Sequence, residues 1–235
     1  MRNLPSSPKL SAKAIARPPR VELVIVCEGA NTEPAYFKDC ATHYGAGTVR
    51  LKLITAAGVP LTLVKGAIQE RQNLINQRKR YKDSFDSCFR VWAVFDRDDH
   101  PNVAEALALA ECFGIDVAFS NPCFELWPVL HLVDFGAQMG RHALQAYLKT
   151  LMPTYDHQDR ALIDFGLIKD RFVDAYVRAL KHNLAREEEQ GAFGNPSTTV
   201  CTLVRKIVEN GKFSNQALVA LLNQLPRNEA IDPVA

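Results

Sequence analysis

From Val21 the chain runs VELVIVC, an almost unbroken series of branched apolar residues ending at Cys27. A strand without a polar face is what burial on both sides of a sheet requires, so residues 21–27 are predicted to form a central strand. Thr32 can cap a following helix, and Pro34 suits its first turn, where the backbone N–H has no intrahelical partner. The stretch PAYFKDCATHY carries that helix to Gly45, a stop signal. TVRLKLIT (48–55) then alternates, with Val49, Leu51 and Leu53 on one face and Arg50 and Lys52 on the other. This predicts a strand near a sheet edge with one wetter face.

Pro60 opens a long helix to about Tyr81, and FRVWAVFD places a second buried strand over 89–95. NVAEALALAECFG reads as a helix closed by Gly114, and IDVAFS as another short strand. After Pro122 the strand signals stop, and 123–133, 141–151, 170–189, 198–210 and 214–223 read as helices.

The order β-α-β-α-β-α-β, with connections long enough for helices, predicts an α/β fold. Its sheet is mostly parallel and covered by helices, and a helical C-terminal half follows. Residues 1–20 hold four prolines and no core pattern, and are expected to be disordered or extended. The α/β core is expected over 21–135 and the helical region over 136–235.

Charge refines this division. Arg2, Lys9, Lys13, Arg17 and Arg20 fall in the first 20 residues without an acid, whereas the rest carries 23 basic and 26 acidic residues. The body is therefore mildly acidic. The basic arm can touch phosphates, or it is simply a solvated leader. The six cysteines include no C-x-x-C pair, which suits reduced, buried thiols in a cytoplasmic protein rather than a zinc site or a disulfide framework. No apolar stretch reaches the ~18 residues of a membrane helix. The leader has no apolar h-region, so a secretory signal is not expected.

Two strands end on acids. Glu28 follows VELVIVC and leads at once into Gly29-Ala30-Asn31-Thr32, while Asp96 ends VWAVF and is followed by Asp98 and Asp99. In open α/β sheets ligands bind at the carboxyl edge where the strand order reverses. If the two strands are neighbours, Glu28 and Asp96 lie on adjacent tips, ~5 Å apart by strand spacing, and Asp98 can point the same way. Carboxylates converging in a partly dry site repel one another unless a cation compensates them. Mg²⁺ or Mn²⁺ fits, because hard cations take carboxylate oxygens and keep waters for a phosphate partner. A solvated acidic turn is the plainer alternative.

In FSNPCFELWPVLHL, Ser120 and Asn121 can cap a helix with Pro122 at its first position. Glu125 then falls in the first turn, where the helix dipole favours an acid, or it adds a fourth carboxylate at the same sheet edge. Trp127 and His131 are four apart on one helix face, and Pro128 between them predicts a kink. His131 is either a packed core residue or a base.

Cationic groups recur in RQNLINQRKRYK (71–82) and in LIKDRFVDAYVRALKHN, with Lys169, Arg171, Arg178 and Lys181. The first ends a helix, where cations are favourable without any ligand. The second offers phosphate contacts. GAFGNPSTTV (191–200) is a tight loop into a helix, with Ser197 or Thr198 as cap and N–H groups that can attract an anion. No G-x-x-x-x-G-K-[ST], G-x-S-x-G, H-E-x-x-H or G-x-G-x-x-G motif occurs, so a P-loop ATPase is not indicated.

Taken together, VCEGANTEPAYF, VFDRDDH, SNPCFELWPVLHL and GNPSTTV resemble the RloB-like family, a bacterial defence group found near restriction loci and often beside an ATPase. A strand-end Glu followed by D-x-D is also similar to the Toprim fold of topoisomerases, primases and OLD-type nucleases. The resemblance implies divalent-metal binding by Glu28, Asp96 and Asp98. It further implies roles near the site for Glu33, Asn121, Glu125, His131, Asn195 and Ser197. Pro128 departs from the unbroken leucine-rich helix expected there.

The expected function is a metal-dependent nuclease acting on RNA, tRNA or DNA in anti-phage defence. In it Glu28, Asp96, Asp98, Glu125 and His131 are catalytic. Glu33, Asn121, Lys169, Arg171, Asn195 and Ser197 contact substrate. Either Glu28 or Glu125 serves as general base, Glu28 being the better placed. The expected partners are nucleic acid and an AAA- or ABC-type ATPase encoded nearby, with no membrane and with self-association left open. Two rival readings are a non-catalytic regulator that binds nucleic acid or nucleotide and docks the ATPase, and a phosphoryl-transfer enzyme.

Overall fold

The computed structural model describes residues 21–45, 49–56, 58–80, 88–97, 102–190, 193–212 and 215–225. In chain order the elements begin with β1 (Val21–Cys27), α1 (Thr32–Tyr44), β2 (Val49–Thr55) and α2 (Pro60–Arg80). Next come β3 (Cys88–Asp96), α3 (Val103–Cys112), β4 (Asp116–Asn121) and α4 (Leu126–Leu132). The C-terminal half holds α5 (Arg141–Leu151) and a short α6 (Phe165–Ile168) running through a 3-10 turn at Lys169–Arg171 into α7 (Phe172–Gln190). It closes with β5 (Ser197–Thr198), α8 (Val200–Glu209) and α9 (Gln216–Leu222). The basic leader, Asp98 and Asp99, and Lys82 lie outside the described residues.

The sheet order is β2-β1-β3-β4-β5, with every pair parallel except β4 and β5. The chain passes from β1 to β2 on one side, then crosses back to place β3 on the other. The strand order thus reverses between β1 and β3, which marks the ligand-binding edge of such a sheet. The alternating pattern of TVRLKLIT is explained by the edge position of β2.

Successive residues of the inner strands serve two cores, as a period of two requires. Leu23, Ile25, Trp92 and Val94 pack on one face under α1, α4, α5, α7 and α8. Val24, Val26, Val91, Ala93 and Phe95 pack on the other under α2 and α3. Side chains this size contribute roughly 1.5–3 kcal/mol each when fully buried, so the central strands are the best-anchored part of the molecule. The helical half is built onto the same core: Leu144, Ile168, Ala175 and Leu203 share it with the strands.

Arg205 ties three of these helices together and is fully buried. Its guanidinium donates to Glu209 at 2.6 Å, to the Tyr176 hydroxyl at 2.6 Å and to Asn223 at 3.0 Å.

Three local expectations change. Ser120 and Asn121 do not cap a helix. They extend β4 and pair with β5, with Ser120↔Thr198 and Asn121↔Ser197 in register. Ser197 and Thr198 form that strand, because two antiparallel residues satisfy the end of β4; α8 starts only at Val200, whose N–H donates to the Thr198 hydroxyl at 3.3 Å. Pro128 is the third residue of α4, within the first turn, where it removes no intrahelical bond.

Among the described residues Cys27, Cys40, Cys123 and Cys201 are buried thiols outside any disulfide, and Cys112 is an exposed one. Among the described residues no helix is long and apolar enough to cross a membrane.

Candidate active site

The register Cys27↔Val94 brings the ends of β1 and β3 level, and the Glu28 N–H donates to the Val94 carbonyl at 3.1 Å. Glu28 therefore leaves the sheet beside the last residues of β3, and Asp96 is the last of them. Asp96 is 7% exposed and Glu28 is partly buried. Two further acids join them. Glu33 comes from the first turn of α1, and Glu125 from the residue preceding α4; they are 7% and 4% exposed.

Glu33 is the hub of the group. Burial pushes its carboxyl up, and the charges of Glu125 and Glu28 push it further, while the N–H groups of Glu33 itself and Gly29 partly offset the rise. In the turn after β1 the Glu33 carboxylate lies over Gly29, where a Cβ would stand 2.1 Å from Oε2.

Asp96 is raised well above the usual carboxylate range, by burial first and then by the charges of Glu33 and Glu125. A backbone hydrogen bond with Phe124 and the guanidinium of Arg141, 3.5 Å from Oδ2, offset only part of that.

Glu125 behaves in the opposite way. Burial pushes its carboxyl up, but hydrogen bonds from Tyr155 at 2.5 Å, the Cys123 thiol, its own N–H and Gln145 at 3.1 Å hold it below its ordinary value. His157 Nδ1 lies 3.4 Å from the same carboxylate oxygen and 3.3 Å from Tyr155 Oη, with its side chain half exposed.

The donor set consists of carboxylate oxygens only, which suits a hard divalent cation. Without a cation, burial and the neighbouring charges raise the Asp96 and Glu33 carboxyls above their ordinary values, while hydrogen bonds hold Glu125 below its own. Among the described residues no three His, Cys, Asp or Glu side chains stand as a ready-made coordination shell. Asp98, the third ligand expected from the sequence, lies outside the described residues.

The other sequence-predicted residues serve around this centre or away from it. Asn121 donates to the Phe193 carbonyl at 2.8 Å, and Asn195 to the Met139 carbonyl at 3.0 Å. These two side chains fasten the 193–197 loop to the end of β4 and to the segment leading into α5. Ser197 is buried in β5.

His131 is 2% exposed, with its ring edge-on to Trp127 at 4.5 Å and Nδ1 2.9 Å from the Trp127 carbonyl. Burial and the cations of Arg178 and Arg171 lower its pKa to about 4. It is placed as a neutral core residue rather than beside the acids. Arg178 caps the end of α4, donating to the Leu130 and His131 carbonyls at 2.7 and 3.2 Å, and Lys181 pairs with Asp134 at 2.7 Å. Lys169 and Arg171 are exposed in the 3-10 turn.

Among the described residues, Arg141, the first residue of α5, is the guanidinium of the helical half that pairs with Asp96. Arg141, Gln145, Tyr155 and His157 join the site without belonging to any of the sequence motifs above. The one available signal is Arg141 and Gln145 spaced i, i+4, on a helix whose Leu144 and Leu148 face the core.

A family model described as RloB-like protein matches residues 23–207. The match spans all four buried or partly buried acids, Arg141 and the Asn195–Ser197 loop. No curated protein and no solved structure matches the chain.

Proposed function

The chain belongs to the RloB-like family, and from its gathered carboxylates we propose a divalent-metal-dependent nuclease that hydrolyses phosphodiesters of RNA, tRNA among them, or DNA. The same reading puts it in bacterial anti-phage defence beside an ATPase. One observation carries it: Glu28 and Asp96 leave neighbouring parallel strands at the point of strand reversal, with Glu33 and Glu125 buried beside them. Isolated acids on a surface turn would not have their pKa raised by burial and by neighbouring carboxylates as Asp96 has. The order of β2, β1, β3 and β4, with acids after β1 and at the end of β3, supports a Toprim-like core.

Asp96 and Asp98, with Glu28 beside them, would hold Mg²⁺ or Mn²⁺. When bound, such an ion supplies charge that orients a phosphate and lowers the pKa of water. Glu28, only partly buried at the strand tip, accepts the proton of the attacking water. Glu125 is fixed by Tyr155 and Gln145. It sets the field of the site rather than moving a proton. Arg141, 3.5 Å from Asp96, offsets negative charge on the phosphate as it passes through the transition state.

The test is incubation of the chain, alone and with the neighbouring ATPase, with RNA, tRNA and plasmid DNA in Mg²⁺ or Mn²⁺. Metal-dependent cleavage that disappears in Asp96→Asn supports the reading. Absence of cleavage in every combination, with an unaltered defence phenotype for Asp96→Asn, refutes it.

A further inference from the structure

At the other end of α1 from the carboxylates, about 15 Å along the helix axis from Glu33 to His43, lies a cleft of about 350 Å³. His43 and Tyr44 close α1 on one side of it, the 3-10 turn and the start of α7 form the second, and Lys212, Asn215 and Leu218 form the third. Two cationic side chains line it, Lys169 and Lys212, together with the imidazole of His43 and one acid, Asp170.

The two lysines differ from several others on this surface. Lys52, Lys149 and Lys181 are each paired with an acid at 2.7 Å. Among the described residues, neither the Lys169 nor the Lys212 ammonium makes a salt bridge. Their backbones are nonetheless held in place. The Tyr44 hydroxyl donates to the Lys169 carbonyl at 2.5 Å, and the Lys212 N–H donates to the Tyr44 carbonyl at 2.7 Å. Tyr44 therefore fixes the spacing of the two lysine backbones from the end of α1, and its ring is packed on Phe172 behind them. His43 reports the resulting field. Its pKa is lowered by burial first, then by Lys212, with Asp170 offsetting part and Lys169 adding a further lowering. Like charges held on a fixed frame around a concave surface attract an anion.

We propose that this cleft binds the phosphate of a nucleotide, with Lys169 and Lys212 on the phosphate oxygens and the sugar-base body filling the remaining volume. A volume of about 350 Å³ falls in the range of small-ligand sites and is larger than an inorganic phosphate fills. The nucleotide is either free or one unit of a nucleic-acid strand; the chemistry recognised is the same. The site lies apart from the carboxylate centre, and the inference stands whether or not that centre cleaves phosphodiesters.

The test uses the full chain in EDTA, so that no divalent cation occupies the carboxylate centre. Fluorescent AMP and a labelled single-stranded RNA oligonucleotide are the two probes, inorganic phosphate is the competitor, and His43 ring resonances are followed by NMR. Binding of at least one probe, displaced by phosphate and accompanied by movement of the His43 resonances, is expected. Preference for AMP or for RNA tells the free nucleotide from the strand. The double variant Lys169→Gln, Lys212→Gln should bind about tenfold or more weakly, in line with the loss of charge-assisted contacts, while Asp96→Asn binds as the native chain does. No binding of either probe, equal affinity in the double variant, unmoved His43 resonances, or loss of binding in Asp96→Asn would each overturn the proposal.

Discussion

Glu33 folds back over Gly29 so closely that a methyl group on the glycine would lie 2.1 Å from the carboxylate oxygen Oε2. The β1–α1 turn is thereby moulded to one acidic side chain, and that side chain couples electrostatically to both Glu28 and Glu125.

Replacing Gly29 with alanine is expected to displace the Glu33 carboxylate rather than unfold the chain, because the obstructed group is the end of a flexible side chain. The melting temperature should change little, corresponding to about 1 kcal/mol or less. Mn²⁺ affinity, measured by calorimetry, should fall. A large loss of stability with unchanged affinity would show that the turn, not the acid, needs the glycine.

Asp96 makes a pH-dependent contribution of defined sign. Its folded-state pKa is raised by burial and by Glu33 and Glu125, so the folded chain holds a proton that the unfolded chain releases. Stability from this group is fully present below the unfolded carboxylate pKa and is lost as pH rises through the folded one. In EDTA, Asp96→Asn should therefore be more stable than the native chain at neutral pH, and the difference should vanish in acid. Urea unfolding at a series of pH values measures it. A variant less stable than native throughout contradicts the burial account.

Tyr155→Phe removes a 2.5 Å hydrogen bond to the buried Glu125 carboxylate. Loss of a bond to a charged group costs roughly 1.5–3 kcal/mol. Because the folded Glu125 pKa is held low, the deficit should be present above the unfolded carboxylate pKa and shrink as pH falls through the folded one. Chemical denaturation at neutral and acid pH checks both size and direction.

His131 is expected to affect stability and not chemistry. Its pKa is lowered to about 4, so charging it on unfolding favours the unfolded chain. The native chain should lose up to about 3 kcal/mol between the unfolded histidine pKa and the folded one. His131→Phe should lose less over that interval and keep the pH profile of any cleavage. A profile that loses a limb in this variant would return His131 to the catalytic set.

Arg205→Ala leaves Glu209, Tyr176 and Asn223 without their shared donor. The expected cost is about 3 kcal/mol or more. Arg205→Lys should recover only part, since an ammonium does not reproduce the fork geometry of the guanidinium. Thermal melts compare the two.

The parallel sheet was legible because its strands are buried on both faces, and burial writes itself into runs such as VELVIVC and VWAVF. The edge position of β2 was equally plain from the alternation of Arg50 and Lys52 with apolar residues. What period and propensity did not carry was β5, whose two residues are set by pairing with Ser120 and Asn121 across 76 or more positions. The acids at the strand ends were visible as a pattern, but the rank of Glu33 was not. Its importance depends on α1 turning it back onto Gly29, a tertiary relation. Arg141 and Tyr155 were hidden for the same reason, since each lies in a helical or loop segment whose pattern reports packing alone. His131 illustrates the converse. The i, i+4 spacing puts it beside Trp127, as the ring contact shows, while the choice between core and base rests on burial that only the assembled helices supply.

The most direct test of the central claim is an anomalous-scattering measurement on crystals soaked in Mn²⁺. A peak between the carboxylates of Glu28 and Asp96, lost in Asp96→Asn, is the predicted result. Crystals saturated with Mn²⁺ that show no peak there, or that place the ion on other side chains, would contradict it.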